Sequence, residues 1–149
     1  MNEAKSLSAE LVRSDSQSQF WRTGRGTMSL NWTESGAMLV AVGTHGDRVL
    51  APLMTRRADA IIARSKILLF FDFWTMPTYD SEMRTEWTSW LVNHRARLEG
   101  LHVVARSKLV TMGVSVANLA LGGIIKSYPA ESGPFEKALK AAGLSLPER

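Results

Sequence analysis

The sequence predicts an α/β protein, a mixed sheet of about five strands that opens with a β-hairpin and has helices packed against it. Three observations carry this expectation. Two short strand-like segments flank a Gly turn, Thr27 to Trp32 and Ala37 to Val42. An unbroken apolar run, Ile67 to Phe71, is too short for a helix and lacks the alternation of a half-buried strand. Finally, strand-like and helix-like stretches alternate from Gly43 to Gly143.

At 149 residues and 16.5 kDa, the chain fits one domain with a substantial core. The division expected is a flexible lead-in over 1–19 and a single domain over 20–149. Ser14 to Gln19 is polar throughout, and only a short helix over Ala4 to Val12 is foreseen there. Thr27–Trp32 alternates polar and apolar, Glu34-Ser35-Gly36 turns, and Ala37–Val42 returns. Thr44, with Asp47 three residues on, reads as the capping box of the next helix. In that helix Leu50, Leu53, Met54, Ala58, Ile61 and Ile62 share a face, and Pro52 lies in the first turn.

The run Ile67 to Phe73 is read as a central strand. It empties through Trp74-Thr75-Met76-Pro77-Thr78-Tyr79-Asp80 into a helix with Met83, Trp87, Trp90, Leu91, His94 and Leu98 at helical spacing. Gly100 ends that helix, and Leu101 to Ala105 is the next strand. Ser107 caps a helix over Leu109 to Leu121, which is apolar almost all round and so is expected to be deeply buried. Ile124 to Tyr128 is an edge strand. Ser132-Gly133-Pro134 starts a last helix with Phe135, Ala138, Leu139 and Ala142 inward.

Composition narrows the function classes. The chain has no cysteine, which excludes disulfides, thiol catalysis and thiolate metal sites and fits a cytoplasmic protein. The N-terminus lacks the apolar core of a signal peptide, and Leu109 to Ile125 falls short of the ~20 apolar residues of a bilayer span. No stable membrane insertion is expected. The +4 net charge, 18 basic against 14 acidic residues, is scattered and forms no stripe, so nucleic acid is not an expected partner.

Residues of reactive type are few. The three histidines, His45, His94 and His102, have no second ligand at metal spacing, so no metal and no cofactor are expected. Gly24-Arg25-Gly26 lacks the rest of a phosphate loop and precedes a strand, so it reads as a turn. No G-x-S-x-G elbow exists. Asp72 is assigned to loop hydrogen bonding and Asp80 to capping, rather than to acid–base work. Trp87 and Trp90 are core residues by spacing. Trp74, in a loop, is the better contact residue. Ser81, at a helix start, is a candidate phosphorylation site, because the positive end of the helix dipole favours added negative charge.

The element order, together with a buried strand followed by Phe-Trp-Thr-Met-Pro-Thr-Tyr-Asp-Ser and an amphipathic helix, resembles the STAS domain of anti-sigma-factor antagonists. It is also similar to the wider STAS-like group, whose topology overlaps lipid-binding CRAL-TRIO domains. That family carries Asp-Ser-Ser-Gly after the strand, with the second serine phosphorylated. Here Asp80-Ser81 matches, while Glu82 and Met83 depart from it. The resemblance implies a bacterial, non-enzymatic regulatory module that binds a protein partner. The contact residues expected are Thr44, His45, Trp74, Met76, Tyr79, Asp80, Ser81, Glu82 and Arg84, with no catalytic residue. Two other readings stand beside it. One is an apolar ligand held between the Leu50–Ile62 and Met83–Leu98 helices, and the other is a small toxin-neutralising protein. The sequence leaves the oligomeric state and the partner's identity open.

Overall fold

The computed structural model describes residues 8–129 and 133–147. The chain is mixed α/β, built on a seven-stranded sheet. Its strands are β1 (Glu10–Asp15), β2 (Ser18–Arg22), β3 (Thr27–Trp32), β4 (Ala37–Gly43), β6 (Ile67–Phe73), β8 (Leu98–Ala105) and β9 (Ile125–Tyr128), adjacent in that order. Two further short strands, β5 (His45–Gly46) and β7 (Thr78–Tyr79), pair only with each other. The helices are α1 (Ala51–Ile62), α2 (Ser81–Asn93), α3 (Lys108–Ala120) and α4 (Gly133–Ala141).

β1 to β4 form an antiparallel meander, and β4, β6, β8 and β9 run parallel. The sheet therefore has more strands than the sequence predicts, and it opens with four antiparallel strands instead of one hairpin. The additional strands are β1 and β2, of which β1 and the first two residues of β2 fall in the segment read as lead-in. Ser16-Gln17 is a tight turn between β1 and β2, in which the Asp15 carboxylate accepts from the Gln17 N–H at 2.9 Å. Every residue of β1 is exposed, so no apolar alternation marks it in the sequence. The foreseen helix fails from Glu10 onward for the same reason, and its first residues lie outside those described, as does Ser132.

Strand order advances steadily across the parallel half, so the three crossover helices fall on one face. There α1, α2 and α3 bury Met54, Ala58, Trp87, Trp90 and Val110 against Met38, Val40, Leu69, Phe71 and Val103. The opposite face is covered by α4, whose Phe135 and Leu139 pack on Leu39, Phe70 and Val104. β6 is enclosed on both sides, as its unbroken apolar run predicts. Pro52 occupies the first turn of α1 as expected.

α3 departs from expectation. Val110, Gly113 and Ala117 are buried, but Leu109, Met112, Val116 and Leu119 are exposed. The helix packs beside the last parallel strands, and no described element covers its outer side. No helix among the described residues is long and apolar enough to cross a membrane.

Candidate functional site

Parallel strands deliver their following loops to a common edge. The loops after β4 and β6 meet there and are tied into one unit. β5 pairs with β7, the Thr44 N–H donates to the Thr75 carbonyl at 2.8 Å, and the Asp80 N–H donates to the Gly46 carbonyl at 2.8 Å. The start of α3 joins them, since the Ser107 hydroxyl donates to the Pro77 carbonyl at 2.9 Å.

A polar cluster holds the two loops together. Arg25, at the tip of the β2–β3 turn, donates to Asp47 through Nε at 3.2 Å and Nη2 at 2.8 Å. The same guanidinium donates to Asp80 through Nη1 at 2.9 Å, with a second short contact from Nη2. Asp80 also accepts from the Arg48 N–H at 2.8 Å, and His45 Nε2 lies 3.0 Å from its Oδ1. His45 Nδ1 is 2.8 Å from the Thr78 hydroxyl. Asp47 is completely buried and also accepts from the Val49 N–H at 3.2 Å.

Burial works against ionisation of both carboxyl groups, but their hydrogen bonds outweigh it. The Arg25 guanidinium, the Arg48 N–H and His45 hold the Asp80 carboxyl far below the usual carboxylate range. Arg25, Thr23 and the Val49 N–H lower that of Asp47. Hydrogen bonds to Asp80 and Asp47 in turn raise Arg25 well above its ordinary value. One cation thus spans two anions whose lone pairs are largely occupied. That is the chemistry of a clamp, in which neither carboxylate is held ready to take a proton.

The close fit depends on Gly26. A Cβ there would lie 2.0 Å from the His45 carbonyl oxygen, so only glycine lets the β2–β3 turn lie against β5. Thr44 takes a left-handed backbone with φ of 68°, unusual for a β-branched residue, where the chain leaves β4.

The residues singled out from sequence divide on this edge. Ser81 and Glu82 are exposed, with the Ser81 hydroxyl 3.2 Å from Glu82 Oε1. Thr44 is exposed, and His45, Trp74, Tyr79 and Asp80 are half-buried. Met76 is buried beneath Gly46, so it supports the loop from inside and has no surface to offer a partner. Arg84 lies away from the tip on the α2–α3 side, where its Nε is buried without a hydrogen-bond partner.

Two capping assignments change. Asp47, not Thr44, caps the short 3-10 turn Arg48–Leu50. Asp80 occupies the N-cap position of α2 but gives its side chain to the clamp, with no side-chain capping bond. Asp72 does hydrogen-bond the loop, accepting from the Trp74 N–H at 3.0 Å. Trp87 and Trp90 are core residues whose indoles donate to the Ala51 carbonyl and to Asp59. His94 stacks on Trp90, and His102 stacks on Phe70 while its Nδ1 sits 2.9 Å from the Tyr128 hydroxyl. Among the described residues, no group of three or more His, Asp or Glu is placed to hold a metal ion.

Arg25 was missed as a site residue, and Asp47 was read as a capping residue of the neighbouring turn rather than as the partner of a charge. The one local signal was an arginine between two glycines. The clamp's partners are 22 and 55 residues away in sequence, and no spacing rule reaches that far.

Behind the tip, an apolar cavity of about 70 Å³ opens between α2 and α3, over Phe71, Trp87, Leu91, Val103 and Val110. It lies one helix further along than the α1–α2 gap expected from sequence. Comparison of the sequence with protein-family models and with curated proteins gives no match.

Proposed function

We propose that this chain is a cytoplasmic, STAS-like regulatory module that binds a protein partner without catalysing a reaction. Its docking surface is the edge formed by Thr44, His45 and the loop Trp74 to Glu82. The observation that carries this reading is the Arg25 clamp. It braces two loops already joined by the β5–β7 pairing, so exposed Thr75, Pro77, Thr78, Ser81 and Glu82 form a preorganised surface. Ordering these residues beforehand removes an entropic cost that a partner would otherwise meet. A clamp of mutually satisfied charges supports binding better than turnover.

The test is a quantitative pull-down from the native host using the tagged chain and its Ser81→Trp variant. Ser81 is exposed and, among the described residues, its side chain hydrogen-bonds only its neighbour Glu82, so the variant should fold normally. A specific protein recovered with the parent should fall at least tenfold with the variant. Equal recovery would remove this edge as the docking surface.

The cavity between α2 and α3 favours a second reading, a small apolar ligand. Native mass spectrometry would reveal it as a co-purified mass, lost when Val110→Phe fills the space. A parent chain that carries no such mass would count against this reading.

A further inference from the structure

We infer that the outer face of α3 is a self-association surface, pairing two copies of this chain antiparallel about a twofold axis. Leu109, Met112, Val116 and Leu119 are 48, 66, 53 and 83 % exposed, and they form a continuous stripe. Their spacing of three, four and three residues is the a/d spacing of helices that pack side by side. An apolar patch of this kind is often a functional contact surface. With exposed Val92 of α2, the stripe presents on the order of 500 Å² of apolar surface per protomer, enough for the core of a modest dimer interface.

The stripe's chemistry selects a second copy. Thr111, Ser115 and Ala120 surround it, and Lys108 at one end is the only charge among the exposed residues of α3. Between Leu109 and Leu119 the stripe itself carries no charge to attract a polar partner or to repel its own image. Beside the ridge runs a groove between α2 and α3, lined by Arg84, Thr88, Val92 and Ala120. The stripe packs on its own copy and this groove flanks the contact, so the same patch serves both partners, as a twofold interface requires.

Charge sets the orientation. In a parallel pair the two Lys108 side chains would face each other. In an antiparallel pair Leu109 meets Leu119, Met112 meets Val116, and Lys108 approaches the carbonyl end of the partner's α3, where a cation is favoured.

Sedimentation equilibrium over a concentration series tests the inference. The parent should approach twice the 16.5 kDa chain mass. Val116→Glu, an exposed position, should be monomeric with an unchanged circular dichroism spectrum. Ser115→Cys introduces the chain's first cysteine. Near the axis, it should be cross-linked by a short bis-maleimide, and cross-linking should vanish when Val116→Glu is added. At low salt Leu119→Lys, set beside the partner's Lys108, should weaken association several-fold more than Leu119→Glu. Equal effects of the two would overturn the antiparallel pairing. A parent that stays monomeric at every concentration, including one whose stripe instead attaches to phospholipid vesicles, overturns the inference. So does a dimer that survives Val116→Glu.

Discussion

Asp47 has no access to water, so its charge is tolerable only while Arg25 answers it. Removing Arg25 would leave that anion buried and Asp80 partly so. Arg25→Ala should therefore destabilise by about 2–4 kcal/mol in urea denaturation, somewhat under the ~3–5 of a fully buried pair because Arg25 is 40 % exposed. Arg25→Lys should recover only part of this, since an ammonium cannot reproduce the two-sided fork. The clamp also fixes an acid limit. Asp47 and Asp80 hold depressed values when folded, so between those values and the unfolded ~3.9 the unfolded chain binds more protons. Stability from the pair is complete above that unfolded value and is lost as pH falls through the folded ones. Denaturation midpoints should drop steeply below about pH 4, and less steeply in Arg25→Ala. Equal slopes would show that other carboxylates set the acid limit.

Among elements, the β2–β3 turn and α4 show how a segment's role depends on what it meets. Gly26→Ala would drive a methyl into the backbone of β5, which cannot retreat because β7 holds it. A loss of about 2 kcal/mol or more is expected, measured in urea, larger than a turn residue on open surface would give. α4 is short, yet its Phe135 is 1 % exposed, set edge-on to Phe70 and Tyr128. Phe135→Ala should cost about 3–5 kcal/mol, because it uncovers the second face of β6. α3 is less buried than its composition predicts. Its apolar residues are enough for burial on every side, but only Val110, Gly113 and Ala117 are buried within the described chain, with Val114 packed partly against the core. Hydropathy reports a helix's demand for cover. It cannot say whether the same chain supplies it.

Across the whole molecule, stability should be graded from centre to edge. β4, β6 and β8 pair on both sides, and β6 is packed on both faces, whereas β1 is wholly exposed with one neighbour. Native-state hydrogen exchange should give the strongest protection in β6 and near-solvent rates in the outer row of β1 amides. Uniform protection would contradict this gradient. The same layout separates two surfaces. The clamped loop edge sits at the carboxyl ends of the parallel strands, and the apolar stripe lies along the outside of α3. One offers a polar, fixed tip and the other an uncharged ridge.

By itself the sequence determined what short-range periodicity encodes. It marked the paired strands around Gly36, the doubly covered run Ile67 to Phe73, Pro52 in a first helical turn, and the inward tryptophans of α2. These depend on residues within a few positions of one another, where side-chain direction repeats with the backbone. The tertiary structure alone decided that Arg25 reaches Asp47 and Asp80, that Met76 turns inward, and that α3 leaves Leu109, Met112, Val116 and Leu119 uncovered. Each of those outcomes is fixed by which distant segments the sheet order brings side by side, and no local pattern of apolar and polar residues carries that information.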